Sequence, residues 1–204
     1  MTDKPVADAR DLAQFYIART AWHAPAEEQM RFRRAAALAR VPAGASVLDV
    51  GARDRGLCRV LPADVRYQGI EIDPAFARPD VLIHDISQGI PFPSSSYDFV
   101  FCLEVLEHVP NPFGTLSEIH RVLKPGGVLI VSVPNPYHFK EIIWHLFRIP
   151  DRQGHLYAWT RQTMTRLGEL SGFQLERTGG TYLHPPIPMV ATLARSIVYR
   201  FVKT

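Results

Sequence analysis

Short apolar runs punctuate this chain, and several of them end in an acid or a glycine. Ser46 to Val50 is the first, with Asp49 and Gly51 at its end. Arg66 to Ile72 closes with Gly69-Ile70-Glu71-Ile72-Asp73, and Val81 to His84 is followed by Asp85. Tyr97 to Leu103 runs into Glu104, and Val128 to Val133 into Pro134-Asn135-Pro136. Val, Ile and Leu dominate, as expected of strands covered on both faces. Phe173 to Thr178 reads as a sixth strand. Thr181 to His184 is a candidate seventh, cut short by Pro185, Pro186 and Pro188.

Helical patterns fill the intervals. Residues 6 to 41 read as helical, with Leu12, Phe15, Tyr16 and Arg19 at helical spacing. A second segment opens near Pro25, a first-turn proline, with Glu27 and Glu28 close behind. Arg31, Arg33, Arg34 and Arg40 make it basic, which suits a solvated face, a lid or a substrate-steering element. Leu57 to Leu61 is helix-like. Pro112 to Leu123 stops at Lys124-Pro125-Gly126-Gly127, where proline and glycine cannot continue a helix. His138 to Phe147 and Thr160 to Ser171 complete the set, the latter with Thr160 as N-cap and Gly172 as stop. In the tail, Met189, Leu193, Ile197 and Phe201 fall four apart with Arg195, Arg200 and Lys203 interleaved. That spacing predicts an amphipathic C-terminal helix from Met189 to Val202, packed on the core or placed for membrane-surface or dimer contact. Strand and helix alternate, so the pattern predicts an α/β, doubly wound, mostly parallel sheet.

Composition narrows the setting. A chain of 204 residues can bury roughly 70% of its unfolded surface in one domain. No apolar run is long enough to span a bilayer, and the first ten residues lack a signal-peptide core. The two cysteines, Cys58 and Cys102, fall in core elements, so a reduced, cytoplasmic protein is expected. A net charge of +3, from 23 basic and 20 acidic side chains, is too small to argue for a nucleic-acid partner.

Ligands of open α/β sheets sit outside the carboxyl ends of the strands. Asp49, Gly51, Glu71, Asp85 and Glu104 all fall at such ends. Glycine lets backbone approach a ligand closely. A carboxylate such as Glu71 has acceptor oxygens for the paired hydroxyls of a ribose. Asp85 can accept from an exocyclic amine such as that of adenine, and Asp49 can face an ammonium. The set fits a ligand with a ribose, an adenine and a free amino group.

With these residues in place, the chain resembles the class I S-adenosylmethionine-dependent methyltransferases. Within them it is similar to the type 11 group that includes ubiquinone and menaquinone biosynthesis methylases. The resemblance covers Val47 to Phe173. It rests on Val47 to Gly51, Gly69 to Asp73, Ile90-Pro91-Phe92 before Tyr97-Asp98-Phe99-Val100, Glu104 to Val109, Arg121 to Gly127, and Pro134-Asn135. It implies a Rossmann-like, seven-stranded sheet with the last strand antiparallel. It implies S-adenosyl-L-methionine as cofactor, with the methionyl part at Asp49 and Gly51. The ribose would lie at Glu71 beside Ile72, the adenine at Asp85 and Ile86, and the sulfonium end near Cys102 to Glu104. On this reading residues 1–204 are one methyltransferase domain, with a helical cap (1–45), a cofactor-binding core (46–136) and an acceptor-side and C-terminal segment (137–204). Arg53 and Arg55 depart from the family pattern, because they stand where further glycines are usual. Arg53 can pair with the cofactor carboxylate, or the arginines can partly fill the pocket.

Methyl transfer needs a nucleophile held in line with the methyl group, and a base only if that nucleophile must lose a proton. His108 is the candidate base, since an imidazole titrates near neutrality. Acceptor contacts are expected from Tyr137, His138, His155 and Trp159. The histidines show no metal-ligand spacing, so no metal is expected. The reading is a methyltransferase for a small-molecule or lipid-like acceptor. Its alternative is a methyltransferase-like cofactor-binding or partner protein without turnover. A nicotinamide dehydrogenase would need a Gly-x-Gly-x-x-Gly turn that Gly51 to Gly56 does not supply.

Overall fold

In a computed structural model the described residues are 14, 15, 17, 25–150, 153–181 and 193–204. From residue 25 onward the described residues hold four α-helices and seven strands, in the order α1 (Pro25–Ala39), β1 (Ser46–Val50), β2 (Arg66–Glu71), β3 (Val81–Ile83), β4 (Tyr97–Leu103), α2 (Pro112–Val122), β5 (Leu123–Pro134), α3 (Phe139–Leu146), α4 (Arg161–Leu170), β6 (Phe173–Gly180) and β7 (Ser196–Lys203). They form one seven-stranded sheet in the order β3-β2-β1-β4-β5-β7-β6. The pairs among β1 to β5 are parallel, and β7 runs antiparallel to both β5 and β6. The α/β doubly wound reading and the antiparallel last strand implied by the resemblance are both observed.

The strands carry apolar side chains on both faces because both faces are covered. On one face Val47, Phe101 and Ile130 pack with Ala35 and Ala39 of α1 and with Leu57. On the other, Leu48, Val100, Leu129 and Tyr199 pack with Ile119 of α2 and Met164 of α4. Phe101 is fully buried, so truncating it to alanine would cost about 3 to 5 kcal/mol. Asn111 caps α2 by accepting from Gly114 N, and Thr160 caps α4 by accepting from Thr163 N.

Two elements differ from expectation. The helix-like stretch at Leu57 to Leu61 is a 3-10 helix, Leu57–Val60, rather than an α-helix. The tail is a strand: Ser196–Lys203 is β7, inserted between β5 and β6, and the expected C-terminal amphipathic helix is absent from these residues. A spacing of four is a multiple of the strand period of two, so Ile197 and Phe201 share a strand face as readily as a helix face. Paired on both sides, Ile197, Val198, Tyr199 and Phe201 are buried and offer no membrane or dimer surface. The candidate strand at Thr181 to His184 lies outside the described residues except for Thr181, which bonds back to Ser196. The expected helix before residue 20 lies outside them too, apart from helical Gln14, Phe15 and Ile17.

Candidate active site

One cavity of about 450 Å³ opens at the carboxyl ends of β1, β2 and β4. Its first wall is the loop after β1. Gly51 N and Ala52 N both donate to Ile70 O, at 2.9 and 3.0 Å, and so fix the loop on β2. Gly51 has φ +79, and a Cβ there would meet Val105 Cγ2 at 2.6 Å. Only glycine fits that combination without strain. Arg53 and Arg55 follow with φ 44 and 64, the left-handed conformation that the usual glycines would adopt at little cost. The chain keeps the glycine path with arginines on it.

The arginine side chains diverge. Arg53 lies over the Phe76 ring, 5.4 Å from its centroid, and lines the cavity. Burial pulls its guanidinium below the usual arginine range, while the charges of Glu28 and Glu71 oppose that shift. Arg55 turns away, pairs with Asp80 at 2.5 Å and lies over Tyr67. It does not fill the site.

Glu71 ends β2 and is 5% exposed, with its carboxylate fixed by backbone. Oε1 accepts from Ile72 N at 2.8 Å and Asp73 N at 3.1 Å, and Oε2 accepts from Arg53 N at 2.9 Å. A carboxylate has about four lone-pair sites, so one, on Oε2, is left for a ligand hydroxyl. Asp85 caps the 3-10 turn Ile86–Gln88 through Ser87 N, and Asp85, Ile72 and Ile86 all line the cavity.

Asp49 and Cys102 do not line it. Asp49 sits on the α1 side of β1, 3% exposed, where Tyr67 Oη donates to it at 2.7 Å. Burial pushes its carboxyl up to about 7, and the Tyr67 bond offsets only part of that rise. Cys102 is a fully buried core residue whose thiol burial pushes upward. Glu104 does reach the cavity, on strained backbone with φ 56. Ser132 Oγ donates to its Oε1 at 2.9 Å, Ser196 Oγ to its Oε2 at 3.3 Å, and Arg31 approaches to 3.7 Å.

On the acceptor side, His155 lines the cavity but Tyr137, His138 and Trp159 do not. Tyr137 is half exposed. His138 is 3% exposed and accepts from Lys140 N at the start of α3, and Trp159 packs in the core, stacked on Tyr157. His108 lines the cavity, with its ring 5.0 Å from that of His155.

Several lining residues escaped the sequence reading. Arg31 lies one helical turn from buried Ala35, a position that turns it inward rather than to solvent, and its Nε is buried with no partner among the described residues. Arg195 and Ser196 arrive because buried Asn135 accepts from Tyr137 N, donates from Nδ2 to Ala194 O and bonds from its own N to Arg195 O. Glu107 stands beside His108 and is 1% exposed. Burial, reinforced by the charge of Glu104, pushes its carboxyl well above the usual range. The ligand atoms of Glu107, His108 and His155 lie within 4.8 Å of one another, a proximity that the scattered sequence positions concealed.

A seven-stranded sheet with an antiparallel strand, and an acid-lined cavity at its carboxyl edge, define a class I methyltransferase fold. A family model described as a methyltransferase domain matches residues 22–178, and the chain belongs to that family. It is 30% identical to a 2-methyl-6-phytyl-1,4-hydroquinone methyltransferase of Synechocystis, over 68% of this chain and 47% of that protein. It is 28% identical to a ubiquinone biosynthesis O-methyltransferase of Xanthomonas axonopodis pv. citri, over 66% of this chain and 68% of that one. The chain thus spans about half to two thirds of the length of these curated relatives. The fold is shared with a Burkholderia thailandensis 1,6-didemethyltoxoflavin-N1-methyltransferase solved with S-adenosylhomocysteine. That likeness has a TM-score of 0.69 at 19% identity and covers 99% of this chain and 93% of the other. Among the described residues no helix is long and apolar enough to cross a membrane.

Proposed function

We propose that the protein is an S-adenosylmethionine-dependent methyltransferase, one domain acting in the cytoplasm on a small, quinone-related acceptor. The observation that carries this is a single cavity joining Gly51, Glu71 and Asp85 at one end to His108 and His155 at the other. Its volume suits a cofactor-sized ligand with room for part of an acceptor. Glu71 Oε2 would take a ribose hydroxyl, Asp85 and Ile86 the adenine, and the Gly51 backbone the methionyl part. Arg31 and Arg53 are the cations for the methionyl carboxylate. Once bound, the cofactor supplies a methyl group activated by its sulfonium. The chain has to orient the acceptor, exclude water and take up any proton released. Leu103, Val105 and Val109 provide the apolar lining between the two ends.

A lipid-like acceptor finds support in α3, where Phe139, Ile142, Ile143 and Leu146 are exposed. Arg195, a cavity residue, pairs with Glu141 and lies over Trp144 of that helix. Any membrane-surface contact therefore belongs to α3 rather than to the tail.

Calorimetry with S-adenosylmethionine and S-adenosylhomocysteine tests the cofactor. Loss of binding in Glu71→Ala with the fold retained is the expected result, and no binding by the wild-type chain refutes the reading. Methyl transfer to a panel of hydroquinones, read by mass spectrometry, tests the acceptor. Cofactor binding without transfer to any of them would favour a binding protein.

A further inference from the structure

Helix α3 is amphipathic the wrong way round for a helix packed on a domain. Phe139, Ile142, Ile143 and Leu146 are spaced three and four apart, so they share one face. That face is turned to solvent: the four residues are 45 to 74% exposed, and no residue of the helix is buried. The other side carries the polar contacts. His138, at the N-cap, is 3% exposed, and the carboxylate of Glu141, three residues on, pairs with Arg195. An ordinary surface helix buries its apolar face and wets its polar one. Phe147 and Ile149 carry the exposed apolar surface past the helix end. From Phe139 to Ile149 the one acid is Glu141, which Arg195 occupies, whereas Lys140 and Arg148 are exposed and flank the apolar face. An eight-residue helix is about 12 Å long and about 10 Å wide, so its face falls well short of the roughly 800 Å² that each partner gives to a stable protein interface. A helix lying in a membrane interface need only sink such a face by about 5 to 10 Å, and basic residues beside it draw it to anionic headgroups.

We propose that α3 docks the protein peripherally on an anionic phospholipid bilayer, with Phe139, Ile142, Ile143 and Leu146 against the acyl chains and Lys140 and Arg148 among the headgroups. Arg195 ties this surface to the cavity, since it lines the cavity, pairs with Glu141 and lies 6.0 Å from the centroid of the Trp144 ring. Docking therefore sets one wall of the cavity beside the lipid, where an apolar acceptor is concentrated. Delivery of an acceptor rests on the methyltransferase reading, whereas the docking does not.

Co-sedimentation of the full chain with vesicles tests the docking. Vesicles of phosphatidylcholine alone are compared with an equal mixture of phosphatidylcholine and phosphatidylglycerol. The wild-type chain should bind the mixed vesicles at least about tenfold more tightly, and added salt should weaken that binding. Ile142→Ser, Ile143→Ser and Leu146→Ser together should lose at least about tenfold, with circular dichroism and S-adenosylhomocysteine binding unchanged, because these side chains are exposed. Lys140→Glu with Arg148→Glu should bring the mixed vesicles down to the level of phosphatidylcholine alone. No binding of wild type to either vesicle overturns the proposal, as does undiminished binding by the triple serine variant. Equal binding of wild type to both vesicles overturns the anionic class. A dimer in analytical ultracentrifugation that the serine variant abolishes, without vesicle binding, overturns it in favour of a second copy of the chain. Wild-type chain that sediments with mixed vesicles but binds no S-adenosylhomocysteine supports the docking and refutes the methyltransferase reading.

Discussion

Replacing Asp49 with asparagine should stabilise the protein, and more so as the pH rises. Asp49 lies under α1 with 3% of its surface exposed, and its carboxyl titrates at about 7 rather than 3.8. Burial is the largest cause; the Tyr67 hydrogen bond lowers the value and the Glu71 charge raises it. Between those two pH values the folded chain keeps a proton that the unfolded chain has released. Stability from this group is therefore complete below the unfolded value and falls as the pH rises through about 7. At roughly 1.4 kcal/mol per pH unit the full loss is about 4 kcal/mol, of which about 2.5 kcal/mol falls between about pH 5 and 8. The Asp49→Asn side chain would carry no charge and would keep an oxygen for Tyr67 Oη, which lies 2.7 Å from the native carboxylate. Urea denaturation of both proteins at a series of pH values measures the difference, in which the other titrating groups cancel. The asparagine variant should gain on wild type by about 2 to 3 kcal/mol over that range. A difference that stays flat, or shrinks with pH, refutes the assignment of a buried, reluctant carboxylate at Asp49.

Gly51→Ala forces a Cβ against Val105 at a φ of +79, and should cost about 2 kcal/mol of stability and at least tenfold in S-adenosylmethionine affinity, by denaturation and calorimetry. Arg55→Gly should be more stable than Arg55→Ala by about 1 kcal/mol, since both lose the Asp80 pair and only glycine relaxes the left-handed backbone; equal stabilities would refute the strain. Glu71→Gln puts an amide N–H₂ among three backbone donors, so cofactor affinity should fall by about tenfold or more, with the far-ultraviolet circular dichroism unchanged.

Much of the sheet could be read from the chain because four of the five parallel strands, β1 to β4, announce their carboxyl ends with an acid or glycine. The last strand could not, since a four-residue apolar spacing serves both periodicities and only pairing to β5 and β6 decides between them. Direction, more than position, separates the remaining site residues. Tyr137, His138 and Trp159 follow β5 as expected of acceptor contacts, but one faces out, one caps α3 and one fills the core. Arg31 looked like part of a solvated basic face until its register with Ala35 turned it inward. Glu107 falls beside His108 within the Glu104 to Val109 stretch. Its burial at the cavity wall comes from tertiary packing, which no sequence pattern records.

The arginine loop shows the same limit from the other side. A glycine pattern stands in for two requirements, a positive φ and room for a ligand, and the two come apart here. The positive φ is met at Arg53 and Arg55 at a strain of roughly 1 to 2 kcal/mol each. The Arg53 N–H bond to Glu71 and the Arg55 pair with Asp80 oppose that cost. Room is kept because Arg55 swings to Asp80, away from the cavity, and Arg53 lies along Phe76 at its wall. What the usual glycines leave to a bare backbone, this chain gives a charge. The left-handed turn that strains Arg53 is also what aims its N–H at Glu71. Replacing Arg53 with glycine would relax the turn and remove a cation from the cavity wall in one step. Stability and cofactor affinity should therefore move in opposite directions, which a loop merely tolerating an awkward residue would not do.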